Sequence, residues 1–428
     1  MACPQRLSAW QQEVSSAFTH LSKTQASGLA LWSAGIALTG SVGIAQISAL
    51  LAQVLGQKEG TVFQRLREWY LDAKHKRGAH RRDLDVASCF GPLLRWIVVR
   101  LGGEEHRLAL ALDATTLGDR WTILAVCVLV RGCAIPVAWK VLSAHAKGSW
   151  RPHWESLLAS LKGQVPAGWQ VLVLADRGLY ARWLYTAIAA CGWHPFLRIN
   201  LAVKARGPGE EGFDWLSRWV PRPGTSWKGA VECFVQNKSR LGCTLLLQWE
   251  VGYEHPWAVI TDLSATEAQI AWYGLRAWVE AGFKDVKRGG WGWQHSKMRD
   301  ADRVERLWLA MAVAMLWTVS VGSQAESRGA VASLVSLPQA PGAYQRRKRP
   351  PTRPQTRRLS CLQRGRLGLL AALMQAEALP LGTIVPEPWP EVVTPPRRPP
   401  DPARQHQREQ RRAYKRRRKA AGRRQSAA

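Results

Sequence analysis

Four residues between Tyr273 and Lys287 have a spacing that suits them to shared chemistry. From Tyr273, the offsets to Arg276, Glu280 and Lys287 are three, seven and fourteen residues. An α-helix turns by about 100° per residue, so these offsets place all four side chains within roughly 60° of one direction. A helix face with one carboxylate, two cations and a phenol is poorly suited to burial. It is well suited to holding a metal ion against a phosphodiester.

Two aspartates directly follow apolar segments that are typical of buried strands. The segment RLALALD ends on Asp113, and WQVLVLAD ends on Asp176. If these strands are neighbours at the middle of one sheet, both carboxylates lie close to Glu280 on a helix packed nearby. Such oxygen ligands suit Mg²⁺ or Mn²⁺, and two ions about 4 Å apart can assist phosphodiester chemistry without a protein nucleophile. Asp119 and Asp262 also flank strands, and we interpret them as structural.

At these residues the sequence resembles the DDE transposases of bacterial insertion sequences, in the insertion-sequence-4 family. The family hallmark, Tyr-x2-Arg-x3-Glu-x6-Lys, is complete over residues 273–287. The segments LDATT, VLADRG and WAVITDL are similar to the motifs that surround it. The resemblance spans roughly residues 20–325 and is strongest over 106–322.

The resemblance implies that Asp113, Asp176 and Glu280 are both the catalytic residues and the metal ligands. They would hold two Mg²⁺ ions, for which Mn²⁺ can substitute. The implied enzyme cuts DNA at the terminal inverted repeats of its element and joins the freed 3′ ends to target DNA, as a homodimer in the DNA complex. Two alternatives remain: a catalytically inactive DNA-binding protein derived from a transposase, and a ribonuclease H-like nuclease without strand transfer.

The resemblance also implies a set of DNA contacts. Tyr273, Arg276 and Lys287 would contact phosphates beside the cut, and Arg177 would add a further contact. Trp257 resembles a tryptophan on which some relatives stack a flipped base, and such stacking contributes about 1–3 kcal/mol per base. Tyr273 and Trp257 each have a structural alternative, which is packing in the core.

Hydrophobic periodicity predicts the elements that position these residues. Residues 106–200 contain three strands, a helix, a strand, a second helix and a fifth strand. This element order is that of the ribonuclease H-like fold. Residues 201–256, with Gly-Pro turns and short strand candidates, predict a β-rich insertion. The strand WAVITDL then leads into the signature helix, and 299–322 predict a further, very apolar helix.

Composition divides the chain into three regions. Residues 1–100 are predicted to be helical, and two helices joined at Gly56–Gly60 form either a helix-turn-helix that contacts DNA ends or an ordinary hairpin with a basic, solvated face. Residues 101–330 are the predicted catalytic domain. Residues 331–428 form a Pro/Arg-rich tail with one candidate helix at 359–380. The predicted fold class is α/β: a mixed-sheet core with an insertion, an α-helical N-terminal region and a basic, largely disordered C-terminal tail.

The charge of the chain indicates a polyanionic partner. Its formal net charge is +29, and residues 341–428 contribute 22 Lys and Arg against 5 Asp and Glu. This pattern favours DNA rather than a membrane. The apolar stretches 24–57 and 307–322 are interrupted by polar residues or shorter than the ~20 residues of a bilayer span, so we expect buried helices. The eight cysteines form no C-x-x-C pair and no secretory signal is present, which predicts free thiols in the cytoplasm.

Overall fold

The computed structural model describes residues 7–77, 82–334 and 359–393. Five helices precede the first strand: α1 (Ser8–Ala17), α2 (Lys23–Thr39), α3 (Ile44–Leu55), α4 (Glu59–Tyr70) and α5 (Phe90–Arg100). The predicted helical N-terminal region is confirmed, as is the junction after α3, which ends at the left-handed residue Gly56. Helix α4 buries Val62, Leu66 and Trp69 and exposes its arginines.

The ribonuclease H-like core predicted from the element order is confirmed. Its five strands are β1 (Arg107–Leu117), β2 (Trp121–Val130), β3 (Cys133–Ser143), β4 (Gln170–Ala175) and β5 (His194–Arg198). β1, β2 and β3 form an antiparallel meander, and β4 and β5 extend it in parallel with β1. Helices α6 (Arg151–Leu161) and α7 (Arg182–Ala189) connect β3 to β4 and β4 to β5. This is the ribonuclease H-like arrangement.

The β-rich insertion extends the same sheet. Its elements are β6 (Lys204–Arg206), β7 (Asp214–Trp215), the short helix α8 (Leu216–Trp219), β8 (Ser226–Cys233) and β9 (Leu241–Gln248), followed by β10 (Trp257–Thr261). In the described part of the chain, the strand order is β3-β2-β1-β4-β5-β10-β9-β8-β6-β7. β10 pairs with β5 on one edge and with β9 on the other. The insertion therefore shares backbone hydrogen bonds with the core.

Two helices follow β10: the short α9 (Ala277–Lys284), with the signature residues around it, and the long α10 (Ala301–Leu334). α10 is longer than the predicted 299–322. It is long and apolar enough to cross a membrane, but 94% of its apolar window is buried inside the protein, and α2 and α3 meet at a bend of 99°. Both features agree with the expectation of buried helices.

Residues 359–393 of the predicted C-terminal tail pack against the rest of the protein. The candidate helix at 359–380 is present as α11 (Cys361–Met374), which packs on α10. Beyond α11, Arg100 donates a hydrogen bond of 2.7 Å to the carbonyl oxygen of Gly382, and Ile384 pairs with Leu101. Enough apolar side chains lie in this segment for it to join the core. Residues 335–358 and 394–428, on which the rest of that prediction falls, lie outside the described residues.

One continuous hydrophobic core joins the N-terminal helices, the sheet and residues 361–384. Arg306 on α10 ties the N-terminal region to this core, since it donates hydrogen bonds to Asp72 and to the carbonyl oxygen of Tyr70. The seven cysteines among the described residues are free thiols, as predicted.

Candidate active site

The two aspartates lie side by side at the middle of the sheet. β1 and β4 are parallel neighbours in which Leu112 pairs with Ala175, so Asp113 and Asp176 come next on each strand. Each carboxylate accepts a backbone hydrogen bond of 2.8 Å, from Ala114 and from Gly178 respectively. The expectation that β1 ends on Asp113 was wrong, because β1 continues to Leu117 against β2.

The single signature helix predicted over residues 273–287 was also wrong. The segment consists of a 3₁₀ helix (Ile270–Arg276), α9, and a π-helical turn (Asp285–Gly289). Lys287 leaves helical geometry altogether, with φ −91° and ψ −118°. A 3₁₀ helix turns more tightly than an α-helix and a π turn more loosely, so the four signature side chains do not lie on one regular helical face.

Close backbone contacts fix this irregular segment against the sheet. Gly282 on α9 lies over β3, where a Cβ atom would come within 2.8 Å of the carbonyl oxygen of Ala134. At the end of the π turn, a Cβ atom on Gly290 would come within 2.4 Å of the carbonyl oxygen of Asp285. Only glycine permits these approaches. The π turn ends at Gly289, and Gly290 follows it in a non-helical conformation.

The Arg276 guanidinium lies between the three predicted catalytic carboxylates. Its Nη2 is 2.8 Å from Asp113 and 3.5 Å from Asp176, and its Nη1 is 3.5 Å from Glu280. Burial raises the pKa of Asp113, and the charge of Arg276 partly offsets that effect. The Arg276 side chain is 13% exposed and that of Glu280 is 75% exposed. Arg276 therefore acts as the counter-ion of the acidic cluster.

The donor set suits a hard divalent cation. Arg276 brings a positive charge within 3.5 Å of both aspartates, which is where a metal ion would be stabilised. All the available donors are carboxylate oxygens, the ligand type that Mg²⁺ and Mn²⁺ prefer. Within the described ranges, no three His, Cys, Asp or Glu side chains are already arranged as a metal site. The exposed Glu280 must rotate inward to complete one.

Lys287 contacts the same edge of the sheet through a residue of β1. Its Nζ donates a hydrogen bond of 2.7 Å to Oγ1 of Thr115. Thr115 lies two residues beyond Asp113 on β1, so both side chains project from one face of the sheet. Burial lowers the pKa of Lys287. Sequence reasoning missed Thr115, although it belongs to the LDATT motif.

An aromatic and basic cluster borders the acidic site. Tyr273 is buried, which raises its pKa to about 12, and its ring meets Trp257 edge-on at 5.3 Å. The half-buried Trp257 also contacts Tyr253 at 5.6 Å. Arg198 lies over the Tyr273 ring at 5.7 Å. Burial lowers the pKa of Arg198, and the positive charge of the exposed Arg177 lowers it further.

Sequence reasoning missed Arg198 as a candidate for this cluster. The available signal was its position at the end of β5, beside the end of β4 that Asp176 follows.

Asp119 and Asp262 lie away from the acidic cluster. Asp119 is exposed at the turn after β1, and Oδ1 of Asp262 is 3.0 Å from Nδ1 of His194. In the part of the chain that the structure describes, the acids that pair with Arg276 are Asp113, Asp176 and Glu280, so Asp119 and Asp262 lie outside that cluster, in keeping with their interpretation as structural.

Comparison with known proteins agrees with this geometry. Residues 108–317 match the family model of the transposase DDE domain. No curated protein matches the chain. Transposases with this domain act on DNA and generally use divalent metal ions. The match covers both aspartates and the whole signature segment, so residues 108–317 are similar to the DDE domain of transposases.

Proposed function

We propose that this protein is an active transposase of the insertion-sequence-4 type, which cuts DNA at the ends of its element and joins the freed 3′ ends to target DNA. One observation carries the proposal: within a transposase DDE domain, Asp113, Asp176 and Glu280 all lie within 3.5 Å of the single guanidinium of Arg276. A protein that only binds DNA has no need of a partly buried acidic pair beside its basic surface.

In this proposal Asp113, Asp176 and Glu280 hold two Mg²⁺ ions. When bound, these ions would supply Lewis-acid activation of the attacking water or 3′-hydroxyl and would stabilise the leaving 3′ oxygen. The chain itself supplies the carboxylates on two rigid strands, with backbone hydrogen bonds that hold both aspartates in place. Glu280 is exposed, so its movement inward requires only side-chain rotation.

Arg276 has two roles in the proposal. Without DNA and metal, it neutralises the acidic cluster and reduces repulsion between the two aspartates. With DNA bound, it turns to the phosphate beside the cut and leaves the carboxylates to the metal ions. Arginine suits both partners, because its planar fork of N–H donors matches carboxylates and phosphates alike.

The remaining site residues orient the DNA. Lys287, which Thr115 holds at the edge of the acidic site, is proposed to contact a phosphate next to the cut. Tyr273 and Arg198 are proposed to form a second phosphate contact, and Arg177 a third at the surface. The half-buried Trp257 is proposed to stack an unpaired base with the part of its ring that remains accessible.

The wider assembly is also part of the proposal. The exposed Arg65 and Arg67 of α4 are proposed to contact the element ends, and the basic segment 394–428 to add contacts that do not depend on sequence. The functional division of the chain at about residue 100, a homodimer in the DNA complex and a cytoplasmic location are proposed with them.

A cleavage and joining assay tests the proposal. The full-length protein is incubated with Mg²⁺, labelled DNA that carries the terminal inverted repeats flanking its coding region, and plasmid target DNA. We expect 3′-hydroxyl cuts at the element end, followed by joining of the labelled end to the plasmid. Cuts without joining would instead identify a nuclease. Tight binding without cuts in either Mg²⁺ or Mn²⁺ would identify an inactive DNA-binding protein.

A further inference from the structure

A groove beside the Asp176 loop has the composition of a site for an unpaired strand of nucleic acid. Its volume is about 770 Å³, and it lies between α6, α7 and the turn that follows β8. One wall begins at Tyr180, four residues after Asp176, and the other is formed by Phe234 and Lys238. A chain of four residues spans at most about 14 Å, so the groove begins within about four nucleotides of the acidic site.

Two aromatic rings line this groove, one from each wall. The rings of Tyr180 and Phe234 are almost parallel, with an interplanar angle of 5° and centroids 6.2 Å apart. The side-chain amide of Asn200 donates a hydrogen bond of 3.1 Å to the hydroxyl oxygen of Tyr180. This contact fixes the tyrosine ring, so both rings offer preoriented faces to a planar ligand.

Phe234 is held in a backbone conformation that phenylalanine rarely adopts. Its φ angle is +68°, in the left-handed region that favours glycine. Its amide donates a hydrogen bond of 3.0 Å to the carbonyl oxygen of Lys204, which anchors the residue. A bulky residue in this region stores strain of about 1–3 kcal/mol, and such strain is concentrated at binding sites. Here it places the ring over the groove.

Basic side chains border these rings. Arg182 donates a hydrogen bond of 3.0 Å to the carbonyl oxygen of Lys238, which brings the two cations together at the rim. Arg151 lies over the Trp183 ring at 5.5 Å and pairs with Glu155, the only acidic residue that lines the described groove. The groove therefore combines π faces with an excess of positive charge, which is how proteins bind single strands.

We propose that this groove binds an unpaired nucleotide of the DNA flanking the cut, with its base on Tyr180 and Phe234 and its phosphate at Arg182 and Lys238. The proposal rests on the proposed function only in that DNA is the partner. The bases of duplex DNA cannot stack on the two rings, because their faces are already stacked on each other. A single-stranded segment offers both a free base face and a flexible backbone.

The test compares the binding of two DNAs, of which only one carries a single-stranded flank that can enter the groove. Fluorescence anisotropy without divalent metal measures binding to a blunt duplex and to the same duplex with a six-nucleotide single-stranded flank. Phe234→Gly removes one ring and suits the +68° backbone, so its melting temperature should not fall through strain. Trp215→Ala is the matched control, because Trp215 is an exposed aromatic residue that does not line the groove.

We expect Phe234→Gly to weaken binding to the flanked duplex about tenfold, the size of effect that loss of one stacked base gives, and to leave blunt-duplex binding unchanged. Lys238→Ala should weaken binding to the flanked duplex only, and the loss of affinity should be smaller at high salt. Equal losses on both DNAs, no loss, or the same loss in Trp215→Ala would overturn the proposal. A wild-type protein that prefers the flanked duplex but cuts no element end would refute transposase activity while supporting the groove.

Discussion

The packing of α11 on α10 predicts opposite effects of one substitution at two glycines of the same helix. At Gly365, an added Cβ atom would lie 1.7 Å from the carbonyl oxygen of Thr318 and 2.8 Å from the amide nitrogen of Gly322. At Gly368, it would meet only the side chain of Val321, at 3.3 Å. Gly365→Ala therefore places a methyl group against backbone, whereas Gly368→Ala places one slightly too close to the Val321 side chain, which must move by a few tenths of an ångström.

The size of the difference follows from these distances. A comfortable carbon–oxygen contact is about 3.3 Å, so Gly365→Ala must move α11 by roughly 1.6 Å. Overpacking of this kind destabilises by about 3 kcal/mol, and the better helix propensity of alanine returns about 1 kcal/mol. The net loss of about 2 kcal/mol corresponds to a melting temperature lower by roughly 2–4 °C, because one continuous core of this size has a large entropy of unfolding. Gly368→Ala keeps the propensity gain and should melt at or slightly above the wild-type temperature.

The displacement should also reach the active site. Gln363 on α11 donates a hydrogen bond of 2.7 Å to the carbonyl oxygen of Gly289, at the end of the turn that carries Lys287. Gly365→Ala should therefore reduce DNA cleavage as well as stability. Thermal melting by circular dichroism and the end-cleavage assay measure the two effects. Equal melting temperatures for both alanine variants would refute the described packing of α11.

Three further predictions concern separate parts of the chain. Thr115→Val should weaken binding to element-end DNA about three- to tenfold in anisotropy, because Lys287 loses its hydrogen-bond partner. Asp72→Asn should lower the free energy of unfolding by about 3 kcal/mol at pH 7, because it leaves the nearly buried Arg306 without its main counter-ion. The pKa of Asp72 is lowered to about 2, chiefly by its hydrogen bond with Arg306. The stabilisation by this ion pair is therefore fully present above the unfolded pKa of about 3.9 and is lost as the pH falls towards 2. Urea unfolding of both proteins at pH 7 and pH 3 measures the difference in the free energy of unfolding and its loss in acid. Truncation after residue 393 should reduce the slope of log K against log salt for DNA binding by about 0.9 per lost phosphate contact and leave the melting temperature unchanged. A lower melting temperature would show that the removed segment is structural.

The sequence was most informative where apolar periodicity was strong. The strand that contains Asp113, the strand that precedes Asp176 and the helix between them follow from runs of buried side chains whose local pattern is sufficient to define each element. The order of those elements then predicted the mixed sheet, and with it the adjacency of the two aspartates. The family signature predicted which further residues meet there.

Other features depend on contacts that local sequence does not encode. Periodicity cannot distinguish an α-helix from a 3₁₀ helix followed by a π turn, so the geometry around Lys287 was predicted wrongly. That geometry reflects the burial of Tyr273 and the hydrogen bond between Lys287 and Thr115. The apolar pattern of residues 359–380 predicted the helix that is present as α11, but local sequence did not show that this helix packs on α10. The contact of Arg276 with all three acids required the spatial arrangement of two strands and a helix.

The central claim is that Asp113, Asp176 and Glu280 act together in cutting DNA at element ends. The most direct measurement is end cleavage in Mg²⁺ by Asp113→Asn, Asp176→Asn and Glu280→Gln, with Asp119→Asn as the control on an exposed aspartate outside the cluster. We predict that each of the three cluster variants loses cleavage by at least a thousandfold while it still binds end DNA, and that the control cuts at the wild-type rate. Cleavage at a wild-type rate by any one of the three cluster variants would contradict the account.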